Sequence, residues 1–145
     1  SDVYKRQELT VASVRAYYSG VAEVSGFDIA EQAVTGRVDK ALASTRRALQ
    51  LGISPVAIAA ALAMKVGDVA RLYNTRGNPN QLARSLGMHP FAAKKAMQVA
   101  RNWSGQAVSE AVIIIADLDA AVKGQGGDEE FALEDAVRRI AELAR

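Results

Sequence analysis

At 145 residues, half of them hydrophobic and 23% charged, the chain is one ordinary domain or two small ones, able to bury roughly 70% of its unfolded surface. The absence of cysteine excludes a disulfide framework, a thiol nucleophile and a cysteine zinc site, and the lone His89 cannot build a triad or a histidine metal site. The formal charge of +2 is unevenly spread: 10 basic against 7 acidic residues over 1–77, 4 against 0 over 78–103, and 4 against 9 over 104–145.

No run approaches the ~18 apolar residues of a membrane span, and the N-terminus lacks the basic-then-apolar layout of a signal peptide. With the missing cysteines, this fits a reducing cytosol and no membrane partner, so a cytoplasmic location is expected. Aromatics are only 6% of the chain, so the interior is built mostly from Ala, Leu, Val and Ile, which favours small, closely packed helices.

In chain order, "SDVYKRQ" has no apolar period and reads as a non-native or disordered tail over residues 1–7. On that reading the chain is the C-terminal part of a longer protein. A short helix opens at Thr10, with Val11, Val14 and Tyr18 on one side, and stops at Ser19-Gly20. A second follows from Phe27, with Ile29, Ala30, Ala33 and Val34, ending at Gly36. In "RVDKALASTRRALQLG" the apolar set Val38, Ala41, Leu42, Thr45 and Leu49 recurs at three and four, and Gly52 supplies the stop. Ser54-Pro55 then launches a long helix whose N-terminal half is apolar nearly all round, the buried centre of an N-terminal bundle. "TRGNPN" is the best linker in the chain and sets a domain boundary between residues 76 and 77.

Beyond it, Leu82, Ala83 and Leu86 face inward on a short helix closed by Gly87. His89-Pro90 opens "FAAKKAMQVARNW". Ser104 caps a helix whose face is Ala107, Ala111, Ile114, Ile115, Leu118 and Val122. "GQGGDEE" is a loop, and an amphipathic helix with early acids and late arginines closes the chain. The expected fold is all-α, about eight helices with no strand.

Phosphate-loop, dinucleotide-binding, zinc-protease and nucleophile-elbow signatures are all absent. Asp117 and Asp119 point to different helix faces, whereas Asp119 and Lys123, four apart, form a surface ion pair. No catalytic, cofactor or metal site is expected. The remaining constellation is the helix, turn and helix around Gly87, with Lys94 and Lys95 on the second helix, a spacing shared with DNA-binding helix-turn-helix units. That helix begins His89, Pro90, Phe91, Ala92, Ala93, which offers almost nothing to read base edges, and two lysines support only weak non-specific phosphate contact. A solvated basic face on a packed helix is the competing reading, with Phe91 and Met97 as packing residues and Trp103 as a core or interface anchor.

"LARSLGMHPFAAKKAMQVARNWS" and the later "LDAAVKG" closely resemble the C-terminal part of the delta subunit of the bacterial DNA polymerase III clamp loader. The resemblance is carried by Leu86, Gly87, His89, Pro90, Phe91, Lys94, Lys95, Ala100, Arg101, Asp119 and Lys123, and by the order of the upstream helices. It departs from the pattern in Gly67, a mid-helix glycine costing about 1 kcal/mol relative to Ala, and in an Ala-rich rather than Leu-rich upstream half.

The resemblance implies two small helical bundles, an AAA+ lid-type domain over 8–76 and a collar domain over 77–145, in a subunit that does not hydrolyse ATP. It implies assembly through collar helices with the ATPase (gamma/tau) subunits and delta prime, to load the sliding clamp on DNA. Contact with the clamp itself would belong to an N-terminal module that this sequence does not include, and primed DNA would be touched weakly and non-specifically. His89, Pro90, Phe91, Lys94, Lys95, Met97, Arg101, Asp119 and Lys123 are the expected partner-interface or DNA-facing residues. The loop from Gly124 to Gly127 would face the central chamber of the assembly. The alternative function is a helix-turn-helix DNA-binding regulator.

Overall fold

A computed structural model describes the backbone of residues 2–124 and 127–145, and side chains from Thr10 onward. Every regular element among the described residues is an α-helix: α1 Asp2–Val34, α2 Val38–Gln50, α3 Pro55–Leu72, α4 Pro79–Leu86, α5 Pro90–Ala100, α6 Gly105–Lys123 and α7 Glu129–Ala144. The all-α expectation holds.

Two expectations at the N-terminus are corrected. Asp2–Gln7 are helical rather than a structureless tail, and the two short helices on either side of Ser19-Gly20 are one continuous α1. A glycine stops a helix by taking a left-handed backbone, and a mid-helix glycine that keeps helical angles only weakens it. The first left-handed residue is Gly36, at φ +79°, where the Gly36 and Arg37 N–H groups donate to the carbonyls of Ala33 and Gln32 at 3.0 and 2.9 Å. Gly52 and Gly87 close α2 and α4 in the same way, at φ +84° and +67°, with the next N–H donating back to Ala48 and Ala83. These are the stops that the sequence places.

The starts are equally local. Ser54 accepts from Val56 N–H, Asn78 from Asn80, Ser104 from Ala107 and Asp128 from Phe131. Proline follows the cap at residues 55, 79 and 90, where its missing N–H costs nothing.

α3 lies at the centre, against α1, α5, α6 and α7; α2 and α7 pack on each other and on α1. The largest fully buried side chains are Ile29 and Val34 of α1, Ile58 and Leu62 of α3, and Leu133, Val137 and Ile140 of α7. They belong to one hydrophobic cluster that also holds Met97, Trp103, Ala111 and Leu118. The core therefore runs without interruption across the 75–78 turn. Trp103, 5% exposed, ties the two halves directly: its indole N–H donates to the Val34 carbonyl at 3.0 Å.

Alanine and glycine allow this close approach. A Cβ on Gly26 would stand 2.9 Å from the Ala61 Cβ, and one on Gly105 would stand 2.8 Å from the Tyr73 hydroxyl. The molecule exposes 9173 Å², against about 7,200 Å² for a compact monomer of this mass. Much of α1 stands clear of the body, with every side chain from Val11 to Ser19 exposed.

Candidate partner-docking groove

The second half of α1, the outer side of α3 and the start of α5 enclose an open groove of about 1000 Å³. Its floor is Ala57, Ala60 and Ala61 of α3. Val24 and Phe27 form the α1 wall, Phe91 and Ala92 the α5 wall, and Met64 stands between them. Val24, Phe27, Met64 and Phe91 are 63%, 51%, 66% and 71% exposed. Scattered exposed apolar residues are ordinary, but four large ones around one concavity form a contiguous apolar surface.

One charged cluster crosses the groove. Lys65 Nζ lies 2.9 Å from one oxygen of Glu31 and Lys95 Nζ lies 3.6 Å from the other; Lys65 also sits 4.8 Å from the centre of the Phe27 ring. Burial pushes the Glu31 carboxyl up, but the two ammonium groups together outweigh it and hold the carboxyl below its ordinary range. Two cations share one carboxylate. Asp68 at the α3 end is held by Arg71.

The sequence-predicted site residues are only partly brought together here. Phe91 and Lys95 line the groove. His89 sits at its edge as the α5 cap, its Nδ1 accepting from the Phe91 N–H at 3.1 Å, with Pro90 in the first turn. The His-Pro-Phe start thus turns the chain and presents Phe91 outward. Phe91 is not a packing residue of this fold, whereas Met97, 5% exposed, is. Lys94 is exposed on α5. Met97 and Arg101 line a separate, smaller pocket of about 380 Å³ beside Tyr73, Arg76 and Trp103. Asp119 and Lys123, at the far end of α6, pair with each other at 2.7 Å as their spacing predicts, away from the groove.

Gln125 and Gly126 of the expected chamber-facing loop lie outside the described residues. The sequence reading missed Phe27, Met64, Lys65 and Glu31. Phe27 enters the sequence pattern only as one of the apolar residues of its helix, and the near-uniform apolarity of α3 conceals which of its sides is covered.

No group of three or more His, Asp or Glu side chains among the described residues is placed to hold a metal ion, and no helix is long and apolar enough to cross a membrane. The exposed first turn of α5 offers Pro90, Phe91 and Ala92, so it presents no side chain that reads a base edge.

The chain is an all-helical body with an exposed apolar groove between α1, α3 and α5. Residues 23–140 match the family described as the DNA polymerase III delta subunit, C-terminal domain, and the chain belongs to that family. That one match spans the 75–78 turn, as the core does. Among solved structures, the chain is similar to the Bacillus subtilis DNA clamp loader delta protein (YqeN), with a TM-score of 0.71 and 22% identity over 83% of this chain. The matched region is 36% of that protein's length. No curated protein matches the chain in sequence.

Proposed function

We propose that this chain is an assembly module of a clamp loader, joining the ATPase subunits and delta prime through its exposed helical surface so that the whole complex places a sliding clamp on DNA. Membership of the delta C-terminal family supports the setting. The observation that carries the mode of action is the apolar groove between α1, α3 and α5, whose four large exposed side chains contribute nothing to the core of this chain. Clamp opening and any contact with DNA lie with the rest of the loader in this proposal, and this chain's part is to hold a neighbour. The division into a lid-type segment (8–76) and a collar segment (77–145) belongs to the same proposal, with the shared core joining the two into one body.

Size-exclusion chromatography with light scattering, on the chain alone and mixed with the ATPase and delta prime subunits of its source organism, tests this. Co-elution in a defined hetero-oligomer is the expected result. A chain that elutes unchanged from that mixture, or that instead shifts one duplex sequence in the presence of competitor DNA, contradicts it.

A further inference from the structure

We infer that the α1/α3/α5 groove receives an acidic amphipathic helix of a neighbouring subunit, oriented by the lysines of α5. This rests on the assembly reading above and goes beyond it by naming the surface and the chemistry of its occupant.

Shape selects a helix. The floor is alanine at residues 57, 60 and 61, and the large apolar groups stand at the rims, so a rod with a row of apolar side chains enters deeply and meets Phe27, Met64 and Phe91 on its flanks. From Ala57 to Asp68 the groove follows α3 for about 16 Å at 1.5 Å per residue. That is three turns of an incoming helix.

Charge selects an acidic one. Lys65 and Lys95 share the single carboxylate of Glu31, and Lys94, exposed on α5 outside the groove lining, adds a third ammonium nearby. Residues 78–103 contain no acidic side chain at all. The α5 wall therefore carries uncompensated positive charge beside apolar surface, and a carboxylate at the edge of the incoming apolar stripe meets it. At the opposite wall Glu23 carries negative charge, so a helix with acids on its α5-facing side is favoured in one orientation over the reverse.

The test compares variants by their binding to the mixture of ATPase and delta prime subunits. Met64→Glu combined with Phe91→Glu is expected to weaken binding by more than about tenfold while leaving the melting temperature unchanged, because both side chains are exposed. Lys94→Glu combined with Lys95→Glu is expected to weaken it by roughly fivefold to tenfold and to flatten its salt dependence. Val112→Glu with Ile113→Glu, on the exposed side of α6, is expected to bind as the wild type does.

If the wild type binds those subunits and both groove variants bind equally well, the groove is not the docking surface. Loss of binding on the α6 variant instead moves the interface to that face and overturns the inference. A wild type that self-associates through contacts broken by Met64→Glu and Phe91→Glu assigns the groove to a second copy of this chain, which also overturns it. A wild type that binds no loader subunit overturns the assembly reading itself.

Discussion

The two sides of α3 differ sharply. On the inner side Ile58, Leu62, Val66 and Val69 are all 0–3% exposed, on a helix packed against α1, α6 and α7; on the outer side, two residues after Leu62, Met64 is 66% exposed among alanines. One helix thus supplies the centre of the core and the floor of an empty groove. The difference teaches that apolar residues serve two ends here. Those on the inner side hold the chain together, and those on the outer side line the groove proposed above as the docking surface.

The sharpest break in that comparison is Leu62→Ala. Deleting a fully buried Leu leaves a cavity, and a loss of about 2–5 kcal/mol is expected in chemical denaturation. Trp103→Phe comes next. It keeps the aromatic packing but removes the hydrogen bond to the buried Val34 carbonyl, a loss of about 1–3 kcal/mol. Because the core is continuous across the 75–78 turn, both variants should lower one cooperative transition, seen equally by far-ultraviolet circular dichroism and by tyrosine fluorescence, since Trp103→Phe removes the chain's single tryptophan. Two separate transitions would show that the segments on either side unfold independently.

Gly67→Ala goes the other way. Gly67 lies within α3, its φ is not left-handed, and nothing stands within 4 Å of an added Cβ, so a gain of about 0.5–1 kcal/mol is expected.

Glu31→Gln sharpens the groove side. The folded carboxyl titrates below its ordinary range, so the stability it contributes is fully present above the unfolded carboxylate range and is lost as pH falls through the lower, folded value. The variant should be less stable than the wild type at neutral pH, by on the order of 1 kcal/mol for a partly exposed cluster. The gap should close in a denaturation series carried down through the acid range. Smallest of all is Phe91→Ala, which should change stability by no more than about 0.5 kcal/mol, because Phe91 is 71% exposed.

The inner side was legible in the sequence. The α2 set Val38, Ala41, Leu42, Thr45 and Leu49 is buried or half-buried, as is the α6 set Ala107, Ala111, Ile114, Ile115, Leu118 and Val122. The stops at Gly36, Gly52 and Gly87 fall where left-handed glycines were read. Caps and periodicity are local signals, and the tertiary structure agrees with them.

The outer side was not legible. In α1 the core residues Ile29 and Ala33 and the groove residues Val24 and Phe27 occupy different sides of one helix, so its apolar residues show no single period. Periodicity reports that a face is apolar, without saying whether this chain or another covers it. For the same reason Phe91 was assigned to packing, although the His89 cap turns it outward. The family resemblance treats this segment as one unit and does not distinguish its exposed ring from the buried Met97.

The most direct measurement is amide hydrogen exchange on the chain alone and after addition of the ATPase and delta prime subunits. Core amides of α3, α6 and α7 should be protected in both states. New protection on addition should concentrate in residues 19–27 and 91–96, the α1 and α5 walls of the groove. New protection confined to α6 and α7, or none at all, would contradict the account.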